Sequence, residues 1–159
     1  MQLAKIKIRR FRGFKDFTAD VAQFTNFVGQ NSRGKTTILQ AIQFVFDTVD
    51  KARLNTSNNE TRLKFDSSQE ILRLTLTDRQ AVWHGKDTSQ PFEIELIFDN
   101  SYRLHLENPA AGQASLAMFQ GDQPIPVSNG PEWKELGEVA AVGAGYIPPI
   151  GATSGLEQW

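Results

Sequence analysis

An α/β fold is what this sequence predicts, on three observations. A strand-like run enters a glycine-bracketed loop at residues 29–36, a long amphipathic helix follows directly, and the second half alternates apolar and polar residues in short segments separated by turn signals. The chain has 159 residues, 40% hydrophobic and 22% charged, which is enough for one modest domain with its own core and close to ordinary globular usage.

The elements follow in order. Leu3, Ile6 and Ile8, with Lys5 and Lys7 between them, read as a half-buried strand. Phe11, Phe14 and Phe17 close a hairpin or corner, and Val21 with residues 24–28 predicts a second strand running into Gly29. Residues 35–49 give the clearest helix: Ile38, Ile42, Val45 and Val49 share one face, and Leu39, Ala41 and Phe46 widen it, so it is expected to be well buried. Residues 51–68, rich in Asn, Ser and Thr, read as a polar loop. Strand patterns recur at 71–76, at 92–98, at 102–106 beyond an Asp99-Asn100 turn, and at 114–119 before Gly121-Asp122, which together predict an antiparallel meander. Residues 139–151 look like a strand leading into a Pro/Gly-rich loop. The abrupt stop at Trp159 suggests that more protein follows. The expected organisation is a single lobe: residues 1–50 hold the strand pair, loop and first helix, residues 51–69 the polar loop, and residues 70–159 the β-rich part.

Composition excludes some chemistries. Cysteine is absent, which removes disulfides and thiolate metal sites, and two histidines are thin material for zinc. No apolar run approaches the roughly 20 residues that cross a bilayer, and the N-terminus lacks the apolar middle of a signal peptide, so a cytoplasmic protein without membrane partners is expected. The net charge of −1 conceals an asymmetry: residues 1–67 carry 12 basic and 6 acidic side chains, residues 68–159 carry 5 and 12. The basic start, from Lys5 to Lys15, is either a phosphate-attracting patch or a solvated strand face.

Gly29-Gln30-Asn31-Ser32-Arg33-Gly34-Lys35-Thr36 matches G-x-x-x-x-G-K-[ST] at every fixed position, with strand pattern before it and helix after it. Gly29 and Gly34 permit the turns and the close approach that the loop needs. Its N–H groups form an anion nest at the positive end of the helix. Lys35 supplies an ammonium for the β- and γ-phosphates, Thr36 a hydroxyl for Mg²⁺, and Thr37 comes next in the site. A nucleoside triphosphate with Mg²⁺ is the expected ligand. No guanine-reading Asn-Lys-x-Asp is present, which favours ATP. Other patterns carry less. The run at residues 96–100 has the look of a magnesium-binding aspartate after an apolar strand, but Glu93 and Glu95 interrupt it, and a hairpin turn at Asp99 is the better account. Ser154-Gly155-Leu156-Glu157 lacks a glycine of the signature sequence it superficially suggests. His84 reads as a satisfied loop histidine, and Trp83, Trp133 and Trp159 as packing residues.

Ile6-x-Ile8-x-x-Phe11-Arg12-Gly13-Phe14, then Phe27-Val28-Gly29-Gln30-Asn31, then Gly34 through Ile42, resembles the ABC-type ATPase heads of the SMC, RecF and SbcC families, specifically over residues 3–46. Ser32 and Arg33 depart from the residues common there. The resemblance implies a P-loop NTPase lobe of ABC-ATPase type with an antiparallel β-subdomain after the first helix. It implies that Arg12 approaches the nucleotide phosphates, and that Lys35 and Thr36 bind phosphate and magnesium. It also implies a C-terminal half bearing the signature motif and the catalytic carboxylates, ATP-driven pairing with a second head, and work on DNA in repair, chromosome organisation or nuclease-linked phage defence. Two alternatives stand beside it: a complete small P-loop kinase or NTPase, for which Arg73, Arg79 and Arg103 are poor lid material, and a nucleotide-ordered interaction module without catalysis.

Overall fold

The computed structural model describes residues 1–22, 25, 27, 34–54, 60–74, 78–127 and 130–143. Among these, one antiparallel sheet of seven strands carries three α-helices. The strands are β1 (Leu3–Phe11), β2 (Phe14–Asp20), β3 (Leu63–Phe65), β4 (Phe92–Phe98), β5 (Tyr102–Asn108), β6 (Ala114–Gln120) and β7 (Gln123–Ile125). Their order is β2-β1-β4-β5-β6-β3, with β7 also paired to β6. The helices are α1 (Lys35–Leu54), α2 (Ser68–Arg73) and α3 (Pro131–Gly143).

Period-two patterning sets the register. Phe17, Ile8, Ile94, Leu106, Leu116 and Leu63 lie opposite one another across six strands, and Ile6, Leu96, Leu104 and Met118 form the next row. Both rows face one continuous core with Ile38, Phe44, Val45 and Val49 of α1 and Trp133 and Leu136 of α3. Each fully buried side chain among them, such as Ile8, Ile94, Leu106 or Met118, contributes about 1.5–3 kcal/mol.

The other face of the sheet is charged and largely self-neutralised. Lys5 pairs with Asp20 at 3.2 Å, Lys7 with Glu95 at 2.8 Å, Arg103 with Glu95 at 2.9 Å, and His105 contacts Glu93 at 3.2 Å. Acids of β2 and β4 thus answer the basic run of β1, so the solvated-face reading accounts for those lysines. Burial pushes the Glu95 carboxyl upward, but hydrogen bonds and charge from Lys7 and Arg103 outweigh it and hold it below the ordinary carboxylate range. A depressed folded pKa adds stability above the unfolded value and loses it as pH falls through the folded value. Stability should therefore decline below about pH 4.5. Glu95→Gln should cost about 1–2 kcal/mol at neutral pH and flatten that decline, as read by urea unfolding at pH 7 and pH 3.5. An unchanged acid limb in the variant would exclude Glu95 as its source.

Four expectations are corrected. Residues 71–76 do not start a strand: α2 covers Ser68–Arg73, because Ile71 and Leu74, three apart, both turn into the core while Leu72 is left 60% exposed (residues 75–77 lie outside the described set). Residues 139–143 are helical. Pro131 opens α3 with its φ already fixed, and Trp133 and Leu136 bury one face (residues 144–159 lie outside the described set). The segment 51–68 is less loop-like than its composition: α1 continues to Leu54, and Leu63–Phe65 pairs with β6. Leu39 does not widen the buried face of α1, being 42% exposed. The strand expected at 24–28 falls mostly outside the described residues, and Thr25 and Phe27 belong to no strand.

Candidate functional site

The site begins where α1 begins. Gly34 accepts the first helical hydrogen bond, from the Ile38 N–H at 3.0 Å, and takes φ +88°, where side chains are strained. The Phe14 ring occupies the space a Cβ would need, so only glycine fits there. Phe14 stacks on Phe17 at 4.5 Å, and this aromatic pair sets the β1–β2 hairpin against the end of the glycine-bracketed loop. Lys35 is half-buried, Thr36 exposed and Thr37 buried, and no acidic side chain occupies the first turn of α1. Gly29, Gln30, Asn31, Ser32 and Arg33 lie outside the described residues.

Arg12 sits two residues before Phe14, in the two-residue turn between β1 and β2. Its φ is +51°, a left-handed value that normally selects glycine in such turns. Its N–H donates to the Val82 carbonyl at 2.7 Å, and its carbonyl accepts from the His84 ring at 3.0 Å. Burial lowers the Arg12 pKa, and its Nη1 is buried without a hydrogen-bond partner. Arg10, also left-handed at φ +53°, is different: its Nε donates to the Pro91 carbonyl at 2.7 Å and its Nη2 to Glu93 at 2.8 Å. One arginine of the pair is committed to structure, whereas the other keeps an unsatisfied cationic donor. An unpaired buried donor of this kind is costly unless an anion completes it. The residues at this end of the sheet fit a phosphate-bearing ligand.

Asp99 is structural: its carboxylate accepts from the Gln2 N–H at 2.9 Å in the β4–β5 turn, as the hairpin reading expects. The tryptophans behave as packing residues where described. Trp133 is fully buried with its indole donating to the Pro126 carbonyl at 3.0 Å, and Trp83 lies in the core. What sequence reasoning missed is the link from His84 to Arg12, 72 residues apart, for which no spacing gives a signal.

Comparison with known proteins fits this geometry. The AAA ATPase domain family matches residues 1–125. The chain belongs to that family. This ATPase domain is also 30% identical over 155 residues to the DNA replication and repair protein RecF of Lactococcus lactis subsp. cremoris, strains SK11 and MG1363, with 89% of the chain covered. It spans 40% of the length of those relatives. Among solved structures it resembles one described under "Structural biochemistry of ATP-driven dimerization and DNA stimulated activation of SMC ATPases", with TM-score 0.56, 14% identity, and coverage of 89% of this chain and 78% of that one. The expected fold class and the SMC/RecF resemblance are both upheld: the fold is that of an SMC/RecF-like ABC-type P-loop ATPase. No helix among the described residues is long and apolar enough to cross a membrane.

Proposed function

We propose that this chain is the ATP-binding lobe of an SMC/RecF-like ATPase that maintains or repairs DNA, with ATP binding driving the pairing of two heads. The observation that carries this reading is the buried, unsatisfied Nη1 of Arg12 in a turn packed, through Phe14, on the start of α1. In this reading the 29–36 loop cradles the phosphates. Lys35 places its ammonium on the β- and γ-phosphates, Thr36 offers its exposed hydroxyl to Mg²⁺, and Arg12 adds a half-buried positive charge. Bound Mg²⁺ would neutralise charge on the terminal phosphates. The chain's own contribution is to orient the triphosphate and to exclude water from the Arg12 side.

The partners follow from the same reading: a second head or a C-terminal ATPase half closing over the nucleotide, DNA, and a nuclease or other effector subunit if the system serves phage defence. The RecF relatives are named for DNA replication and repair, and the SMC neighbour for ATP-driven dimerisation and DNA stimulation. The deciding experiment titrates a fluorescent ATP analogue into the protein with and without Mg²⁺, then measures its sedimentation with ATP and duplex DNA. Magnesium-dependent binding with ATP-dependent association is expected. No binding at millimolar ATP would remove the proposal, and binding without association would leave the interaction-module alternative in front.

A further inference from the structure

We infer that His84 is a positioning residue for the nucleotide: it holds the Arg12 backbone in its left-handed conformation and so aims the guanidinium. The inference rests on Arg12 meeting phosphate, as proposed above.

A non-glycine residue at φ +51° stores about 1–3 kcal/mol and persists only where its surroundings fix it. Here the fixing is specific. Phe11 forms an isolated antiparallel bridge with Trp83, and the next residue, Arg12, is gripped at both main-chain polar atoms: its N–H by the Val82 carbonyl at 2.7 Å and its carbonyl by His84 Nδ1 at 3.0 Å. A carbonyl only accepts, so Nδ1 must carry the proton, which fixes the tautomer. The gripping segment is itself fastened. Arg79–Val82 and His84–Lys86 are two short 3₁₀ turns; Asp78 caps the first through the Gln80 N–H at 2.9 Å, and Lys86 returns to Asp78 at 2.8 Å. Gly85, at φ +61°, lets the chain fold back straight after the histidine. Trp83 anchors the segment in the core, 5.5 Å from Phe92. The Val82 bond is main chain and survives any side-chain change. The His84 bond is the only one of the two that substitution can remove, and the Arg12 carbonyl precedes the turn residue Gly13.

The chemistry of the donor makes the test sharp. An asparagine amide can place Nδ2 where His84 Nδ1 sits, whereas a glutamine amide reaches one carbon further and a leucine donates nothing. Mg·ATP affinity is measured by fluorescence titration, alongside thermal midpoints without nucleotide, for Arg12→Ala, His84→Leu, His84→Gln, His84→Asn and the Arg12→Ala/His84→Leu pair. Arg12→Ala should weaken binding about 5- to 20-fold, His84→Leu and His84→Gln about 3- to 10-fold, and His84→Asn less than about 2-fold. Because His84 acts through Arg12, the double variant should bind no worse than Arg12→Ala alone. Full affinity in both His84→Leu and His84→Gln, or a double variant with additive loss, overturns the positioning role while Arg12 keeps its own. Undiminished binding by Arg12→Ala overturns the parent reading instead. Equal losses in His84→Asn and His84→Leu, tracking a common fall in thermal midpoint, would show a merely structural histidine and also overturn the inference.

Discussion

Replacing Lys35 with alanine is expected to weaken Mg·ATP binding about 10- to 100-fold. A hydrogen bond from a cation to phosphate contributes about 1.5–3 kcal/mol, and each 1.4 kcal/mol is tenfold in affinity. Lys35 is the first residue of α1, directly after the glycine whose φ of +88° and contact with Phe14 fix where the helix starts. The ammonium is thereby carried by a rigid element rather than a free loop. The core face of α1 begins later, at Thr37 and Ile38, so the variant should keep its thermal midpoint within the equivalent of about 1 kcal/mol. Lys35→Arg should not restore binding, because a planar guanidinium cannot replace a compact ammonium in a close backbone cradle. Fluorescence titration of wild type and both variants decides the matter. Undiminished affinity in Lys35→Ala would move the nucleotide away from residues 29–36 and remove the proposed site.

Sequence periodicity identified the elements whose burial is simple. The strands β1, β4 and β5 each bury one clean face and α1 a broad one, so a 2.0 or 3.6 period shows through, whereas β6 buries Leu116, Ala117 and Met118 in succession. Where burial is mixed, it misled. Leu72-Arg73-Leu74-Thr75-Leu76 alternates in hydropathy, yet the packing of Ile71 and Leu74 decides for a single helical turn and strands Leu72 in solvent. At residues 139–143 the apolar run suggested a strand, but the usable signal lay earlier, in Pro131 followed by Trp133 and Leu136. The site was legible to different depths. Gly34, Lys35 and Thr36 announce themselves by spacing alone. Arg12 came only from family resemblance, and the structure adds its physical basis, a left-handed turn with an unsatisfied guanidinium nitrogen. His84 could not be found from sequence, because a contact across 72 residues depends on the whole sheet bringing β1 and the 78–87 segment together.

The same meeting point makes Phe92 the core position with the largest expected stability effect. Its ring is fully buried and lies 5.1 Å from Phe11, 5.6 Å from Phe44 and 5.5 Å from Trp83. It therefore joins β1, α1 and the segment that grips Arg12. Phe92→Ala should destabilise the fold by about 3–5 kcal/mol, since truncation removes the transfer energy of the ring and leaves a cavity between elements that cannot all collapse into it. Phe92→Leu keeps most of the volume but loses the edge-to-face contacts, and should cost about 1–2 kcal/mol. Urea unfolding measures both through the midpoint at constant slope. Because Phe11 immediately precedes Arg12 and Trp83 immediately precedes His84, the leucine variant should also lose some nucleotide affinity, although it sits on no ligand. Phe92→Ala costing less than about 1 kcal/mol would mean that the aromatic cluster is not the hinge of this end of the sheet, and the grip on Arg12 would then have to rest on the 78–87 segment alone.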